Sequence, residues 1–399
     1  MPQVAAPPAE PTAPPKWEIW LAAWPITAVL ALSNAATPLY VLWQREIGFS
    51  AGMLTVIYAS YIAGLLGTLL VAGVASDRLG RKPVLLPAVA LGVLACLVFA
   101  TATSVPALAV ARLLTGIGVG AVVSAGMAAV TEVAGPSRTR LGSLLASTAM
   151  VLGAGLGPLL AGVLAETLPG PTVAVFVLEA ALLVTALLAV LRMPLPGKGN
   201  RAITGSWIRL PSVPRMNREH LLRGLAVFAP GITATGFVLS LGPSLLSDLL
   251  GSESRILAGG MAFVMFATAT AAQFAVQRFP VRTILTTGAA ATVASMAALM
   301  LAVHYSSTPP LVAAAMLAGA GQGLGQLGGL SMLSAEVPPE RRAEANAAFN
   351  FGGYLPAGAL PVAVGYLSDA TGLTTGSTTF ALFMITTATL GALTAFRRN

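Results

Sequence analysis

The run Gly73-Val74-Ala75-Ser76-Asp77-Arg78-Leu79-Gly80-Arg81-Lys82 places charges and two glycines in the middle of a strongly apolar chain. It joins two apolar stretches, 52–75 and 84–103, each close to the roughly 20 residues that a helix needs to cross a bilayer. Gly80 permits a tight turn. Asp77 stands where the first stretch ends, where it can meet a cation or the N-terminus of a neighbouring helix. The layout is that of a membrane hairpin with a short charged turn. Two readings of the charges stay open: a latch that holds parts of the molecule together in one conformation, or a loop that only sets topology, with Asp77 as a helix cap.

Outward from this hairpin the pattern repeats. Apolar runs occur at 18–42, 52–75, 84–103, 107–131, 142–165, 172–192, 220–243, 255–276, 283–303, 310–334, 345–367 and 375–396. The expected fold is an all-α membrane protein of twelve transmembrane helices. Composition agrees: of 399 residues 56% are hydrophobic and 9% charged, with mean hydropathy +0.83, against about 25% charged residues in soluble domains. The net charge of +8 lies in loops and does not interleave with aromatics, so nucleic acid is not an expected partner; the lipid bilayer is. Cys96 is the sole cysteine and sits in an apolar run, where a small buried hydrophobe is the plain reading. His220 and His304 lie far apart, so neither a metal site nor a cofactor is expected.

Arginine and lysine resist translocation. With the N-terminus in the cytoplasm, all but three of the 22 lie on the cytoplasmic side; Arg45 and Arg255 fall outside and Arg112 lies within a span. Both termini are therefore expected in the cytoplasm. Arginine in excess of lysine, with abundant Ala, Gly and Pro, implies a GC-rich bacterial genome and hence a bacterial inner membrane. Residues 1–16, rich in Pro and Ala, read as a disordered cytoplasmic tail without the features of a signal peptide.

The longest polar stretch, 193–219, reads as a cytoplasmic linker between bundles at 17–192 and 220–399. The halves repeat at a spacing near 203. Pro158 and Gly162 precede Glu166, and Pro361 and Gly365 precede Asp369, each 203 residues later. Two pseudo-symmetric six-helix bundles commonly place a substrate site between them near the midplane and alternate its access by rocking.

The ten residues of the opening loop match, at every signature position, the Gly-x-x-x-Asp-Arg-x-Gly-Arg-Lys/Arg pattern of the major facilitator superfamily. The chain resembles that family over roughly 17–398, and within it the twelve-helix drug:proton antiporters. The resemblance implies the major facilitator fold and a secondary transporter, not an enzyme, whose conformational latch consists of Asp77, Arg78, Gly80, Arg81 and Lys82, with Glu132 and Arg138 as partners. The second half keeps only Gln277, Arg278 and Arg282 at the equivalent place. No nucleophile motif, His-Glu-x-x-His or phosphate-binding loop occurs, so direct use of ATP is not expected.

Arg112 opens the segment Arg112-Leu113-Leu114-Thr115-Gly116-Ile117-Gly118, which resembles the helix-4 Arg-x-x-x-Gly-x-Gly motif of proton-coupled members. An arginine inside the membrane costs several kcal/mol unless it faces protein or water; the alternative is that it snorkels to the surface. Glu179 lies at comparable depth in the sixth span. The two are expected to pair as a proton-coupling device, or Glu179 is a packing acid. Helix 1 has only Asn34 where many drug:proton antiporters carry an acid, so coupling moves to Glu179, Glu344 or Asp369.

Gly153, Gly157, Pro158 and Gly162 resemble the helix-5 glycine–proline motif of exporters; tight packing is the alternative. Expected cavity residues are Asn34, Tyr40, Ser124, Met127, Phe237, Gln273, Gln322, Gln326, Asn346, Asn350 and Tyr354, mostly neutral, which suits lipophilic solutes. The expectation is a monomeric exporter of small lipophilic drugs or metabolites, with protons and substrate as its partners; the alternative is a proton symporter or uniporter that imports a small organic solute.

Overall fold

The structure is a computed structural model that describes residues 15–195, 206–208, 211–338 and 341–396. Most of the expected N-terminal tail, and Lys198, Arg201, Arg209, Arg397 and Arg398, lie outside the described residues. All regular structure among the described residues is helical. The first half holds α1 (Lys16–Gly48), α2 (Ala51–Leu69, continued by a short helix Ala72–Leu79), α3 (Lys82–Ala100), α4 (Val105–Ala134), α5 (Pro136–Thr167) and α6 (Pro171–Arg192). The second holds α7 (Arg215–Leu249), α8 (Arg255–Val276), α9 (Val281–His304), α10 (Thr308–Glu336), α11 (Arg342–Thr371) and α12 (Leu373–Phe396).

Several boundaries differ from expectation; α1 and α7 run on to Gly48 and Leu249 instead of 42 and 243, and α5 opens at Pro136 instead of 142. Lys16 opens α1 instead of closing the tail, because Pro15 supplies the extended residue before the helix. Residues 215–219 belong to α7 instead of the linker, the first three as a 3-10 turn. Ten of the twelve helices are long and apolar enough to cross a membrane by length and composition. The other two are just as long. Glycines and Gln322 and Gln326 dilute α10, and Arg342, Glu344, Asn346 and Asn350 dilute the start of α11.

Local sequence explains the helix starts. Ser50 and Ser254 cap α2 and α8, each hydroxyl accepting from the backbone N–H three residues on, Met53 and Leu257. Proline stands in the first turn of α3, α4, α6 and α10, where its missing N–H is not needed. Gly80 turns the chain between α2 and α3 at φ 96°. A 3-10 turn at Thr37–Leu39, built around Pro38, breaks α1 midway.

Packing repeats between the halves. In the first, α1 lies against α5 and α6, α2 against α4, and α3 against α4 and α6. In the second, α7 lies against α11 and α12, α8 against α10, and α9 against α10 and α12. Each contact recurs six helices later, so the chain forms two pseudo-symmetric six-helix bundles. The bundles meet where α5 crosses α8 and where α2 crosses α11. Below, the end where α1 finishes and α2 begins is called distal, and the end that holds the α2–α3 turn proximal.

Both crossings run over glycine, at positions 203 residues apart. A Cβ on Gly162 would strike the Arg255 carbonyl of α8, and one on Gly365 would strike Thr55 and the backbone of Ala51 and Gly52 in α2. Gly162→Ala and Gly365→Ala are each expected to cost about 1–3 kcal/mol through overpacking, read as a lower thermal midpoint in detergent. Gly260→Ala, whose Cβ would meet nothing within 4 Å, is expected to leave the midpoint in place.

Candidate functional site

Arg112 sits on the third turn of α4, counted from the distal end, and is fully buried at 0% exposure. Its Nη1 donates to the Ser33 carbonyl of α1. Three tyrosine rings surround the guanidinium, with centroids 4.8 Å (Tyr61), 5.4 Å (Tyr58) and 6.0 Å (Tyr40) from its central carbon. Tyr58 and Tyr61 are three apart on α2 and so share a face. Ring faces attract a cation, but they do not satisfy its N–H groups. Nε and Nη2 of Arg112 have no hydrogen-bond partner, and neither has the Tyr40 hydroxyl.

The cage reaches the seam between the bundles. The Tyr58 hydroxyl lies 3.6 Å from where a Cβ on Gly236 of α7 would stand. Tyr354 of α11 is within electrostatic range of Tyr58 and Tyr61. A desolvated guanidinium with donors to spare and no carboxylate among its contacts has the chemistry to accept an anion.

The expected Arg112–Glu179 pair is not formed. Arg112 turns to α1 and α2, whereas Glu179, 4% exposed on α6, lies within electrostatic range of Cys96 on α3. α3 packs against both α4 and α6, so equal depth does not bring the two side chains together. Glu179 Oε2 has no hydrogen-bond partner. Arg112 and Glu179 are the two buried charged residues among the described ones. The alternative carriers lie elsewhere: Glu344 pairs with Arg341 at the proximal surface, and Asp369 accepts from the Gly52 N–H at the distal end.

The proximal loop is organised by Arg81. It pairs with Asp77 at 2.7 Å and with Glu132 at 2.7 Å, and donates to the Ser76 hydroxyl. Burial alone would lower its pKa, but the bonds to Glu132 and Asp77 hold it above the ordinary value. Arg78 stacks on Trp207 of the linker and donates to the Ser206 carbonyl. Lys82 donates to the Leu191 carbonyl at the end of α6. Arg138 closes the 3-10 turn Pro136–Arg138 that opens α5.

The other candidates divide. Asn34 donates to the Ser33 hydroxyl beside the arginine's acceptor. Gln322 of α10 has an unpartnered buried carbonyl oxygen. Tyr354 meets Phe228 edge-on. Met127, Gln326, Asn346 and Asn350 are half-buried. Phe237 stacks on Phe380 of α12 at 4.4 Å, which commits its ring to packing within the second bundle. Gln273 donates to the Gly323 carbonyl and ties α8 to α10. On α5, Gly153 and Gly157 face α1 at Thr27 and Ala31, and the Pro158 carbonyl faces Gly259 of α8, so this run packs one helix from each bundle. Sequence reasoning missed Tyr58 and Tyr61. Their spacing on one helix face was the available signal.

Comparison with known proteins accords with this architecture. The family model of the Major Facilitator Superfamily matches residues 19–272 and 221–399. The 3-(3-hydroxy-phenyl)propionate transporter of Escherichia coli (strain K12) is 45% identical over 80 residues, which span 20% of this chain and 20% of that protein. Among solved structures, a bacterial homologue of the human lysosomal transporter Spinster, in an inward-facing and unoccupied conformation, superposes with TM-score 0.76 at 15% identity, covering 95% of this chain and 96% of that one. The nucleoside transporter NupG gives 0.72 at 14% over 96% and 99%. The human organic anion transporter MFSD10 gives 0.64 at 20% over 95% and 100%. The chain belongs to the Major Facilitator Superfamily and is a multi-pass membrane transporter, not an enzyme.

Arg81→Ala removes both pairs of the proximal loop. Its carboxylate partners are about a third exposed (37% for Asp77 and 36% for Glu132), so each pair is worth about 1 kcal/mol or less. The variant is expected to keep nearly the wild-type thermal midpoint while its transport rate in proteoliposomes falls. A large loss of stability would make Arg81 a folding residue instead.

Proposed function

We propose that this Major Facilitator Superfamily member carries a small organic anion with an apolar, aromatic-sized body across the membrane by alternating access, and exports it in exchange for protons. The observation that carries the reading is the buried guanidinium of Arg112 with two unmade donors inside a tyrosine cage. A carboxylate on the solute would take both donors, and the rings of Tyr40, Tyr58 and Tyr61 would flank its apolar part. The relative named for 3-(3-hydroxy-phenyl)propionate supports the reading, since the solute in its name is an aromatic carboxylate. A neutral lipophilic drug would leave the arginine unsatisfied, so the anion reading narrows the one that the neutral cavity residues invite.

Glu179 is the proton carrier in this scheme, since it is the one buried carboxyl among the described residues. With the proximal end in the cytoplasm, the latch around Arg81 lies on the inner face and the ends of α5 and α11 on the outer face. The glycine–proline run of α5 supports export. A second reading, uptake of the acid together with protons, draws on the separation of Arg112 from Glu179. Two sites that do not touch can be filled at once, as symport requires.

Proteoliposomes under a pH gradient test both readings. Phenylpropionate is expected to drive proton movement opposite to its own flux, and phenylpropanamide, which lacks the charge, to drive none. Arg112→Gln should reduce substrate-driven flux at least tenfold. Glu179→Gln should leave phenylpropionate binding intact and abolish its coupling to protons. Parallel movement of acid and proton would establish symport. Transport of lipophilic cations by the wild type and by Arg112→Gln alike would overturn the anion reading.

A further inference from the structure

The polar contacts between the bundles gather at the distal end, and two of them are related by the internal repeat. Glu166, at the end of α5, accepts through Oε2 from the backbone N–H of Ile256 at 2.9 Å and from the Ser254 hydroxyl at 3.1 Å. Asp369, at the end of α11, accepts through Oδ2 from the backbone N–H of Gly52 at 3.0 Å. Ile256 is the second residue of α8, and Gly52 is the second residue of α2. Each helix is already capped by its own serine, Ser254 or Ser50. In both cases a carboxylate from the opposite bundle takes one further free N–H at a helix N-terminus, where the helix dipole favours negative charge.

We propose that Glu166 and Asp369 are paired positioning residues of the transport cycle, forming two symmetric carboxylate-to-helix-end locks that hold the distal side of the transporter shut. The proposal rests on packing between the bundles and holds whatever the solute is. Opening the distal side separates α5 from α8 and α2 from α11, so both locks must break together. Each then gives up the bond between an exposed carboxylate and a first-turn N–H, and the two contributions multiply in one equilibrium. Glycines at 162 and 365, four residues before each acid, bring the backbones close enough for these bonds.

The two distal arginines fall into the same arrangement. Arg45, at the end of α1, pairs with Glu253 at 2.9 Å and donates to the Ser247 hydroxyl. Arg255 donates to the Ala165 carbonyl of α5. Both are exceptions to the charge asymmetry that sets the topology, and both bridge the bundles. Arg45 and Glu253 are largely exposed, so their pair adds little by itself. The carboxylate locks differ because their acceptors meet fixed backbone donors, which lose no side-chain freedom when the bond forms.

Spin labels introduced through Thr103→Cys in the α3–α4 loop and Tyr305→Cys in the α9–α10 loop report the distal opening by pulsed electron resonance in nanodiscs. Cys96 is buried and leaves the label to the two introduced sites. Glu166→Gln and Asp369→Asn keep shape and an acceptor oxygen but remove the charge. Each is expected to raise the population with a long distal distance roughly two- to tenfold, and the two together by the product. Glu166→Asp and Asp369→Glu, which keep the charge, should stay closer to the wild-type distribution than the amides do. If both amides, singly and together, leave the distances unchanged, the locks do not exist. If only one of the two shifts them, the paired arrangement is wrong and the repeat is coincidental. A charge-retaining swap that shifts the population as far as its amide also overturns the proposal.

Discussion

A guanidinium held out of water with two of its three nitrogens unpartnered is the constraint around which this structure is arranged. In a membrane an arginine is tolerated only when protein or water meets its charge. Here three tyrosine rings and one carbonyl meet it in part. The carbonyl comes from Ser33, a few residues before the 3-10 turn that Pro38 places in α1. One ring, Tyr40, comes from just past that break, and two, Tyr58 and Tyr61, come from α2. α1, α2 and α4 are thereby committed to one another. The cage that holds the remaining donors reaches the seam, where Tyr58 approaches α7 and Tyr354 of α11 lies within range. An anion arriving there would complete the arginine and touch both bundles, and a ligand must interact differently with two states to shift their balance.

The second organising element is the repeat. Two bundles of like design must meet through like surfaces. The α5–α8 and α2–α11 crossings are accordingly built from the same parts: a glycine at the closest approach, a carboxylate four residues on, and a serine-capped helix end opposite. The arrangement concentrates the polar bonds between bundles at one end. It leaves the Arg81 cluster at the other end, where its bonds to Asp77 and Glu132 stay within the first bundle. Rocking between bundles trades one set of contacts against another, and a carboxylate on a helix end breaks cleanly, unlike an interdigitated apolar surface.

Much of this was legible in the chain. Twelve apolar runs of bilayer length gave twelve helices. The 203-residue spacing that aligned Glu166 with Asp369 reappeared as equivalent contacts. Less legible was the direction in which a side chain points around its helix. Arg112 and Glu179 share a depth, which sequence reveals, but face different neighbours, which it does not. α3 packs on both of their helices, and the expected pair gives way to a tyrosine cage. Phe237, chosen for its aromatic character, is spent on Phe380. The membrane character of α10 and α11 is muted because residues that pack against protein need not be apolar enough for lipid. Arg45 and Arg255 stood out as charges on the wrong side, and their cross-bundle bonds supply the reason.

The proposed anion site at Arg112 is tested most directly by ligand-dependent thermal unfolding of the purified protein in detergent. A ligand that binds the folded state stabilises it by about 2.7 kcal/mol at a hundred times its dissociation constant. Phenylpropionate is predicted to raise the midpoint of the wild type, phenylpropanamide to leave it unchanged, and Arg112→Gln to abolish the difference between them. Equal stabilisation by acid and amide, or a response to the acid that survives in Arg112→Gln, would contradict the account.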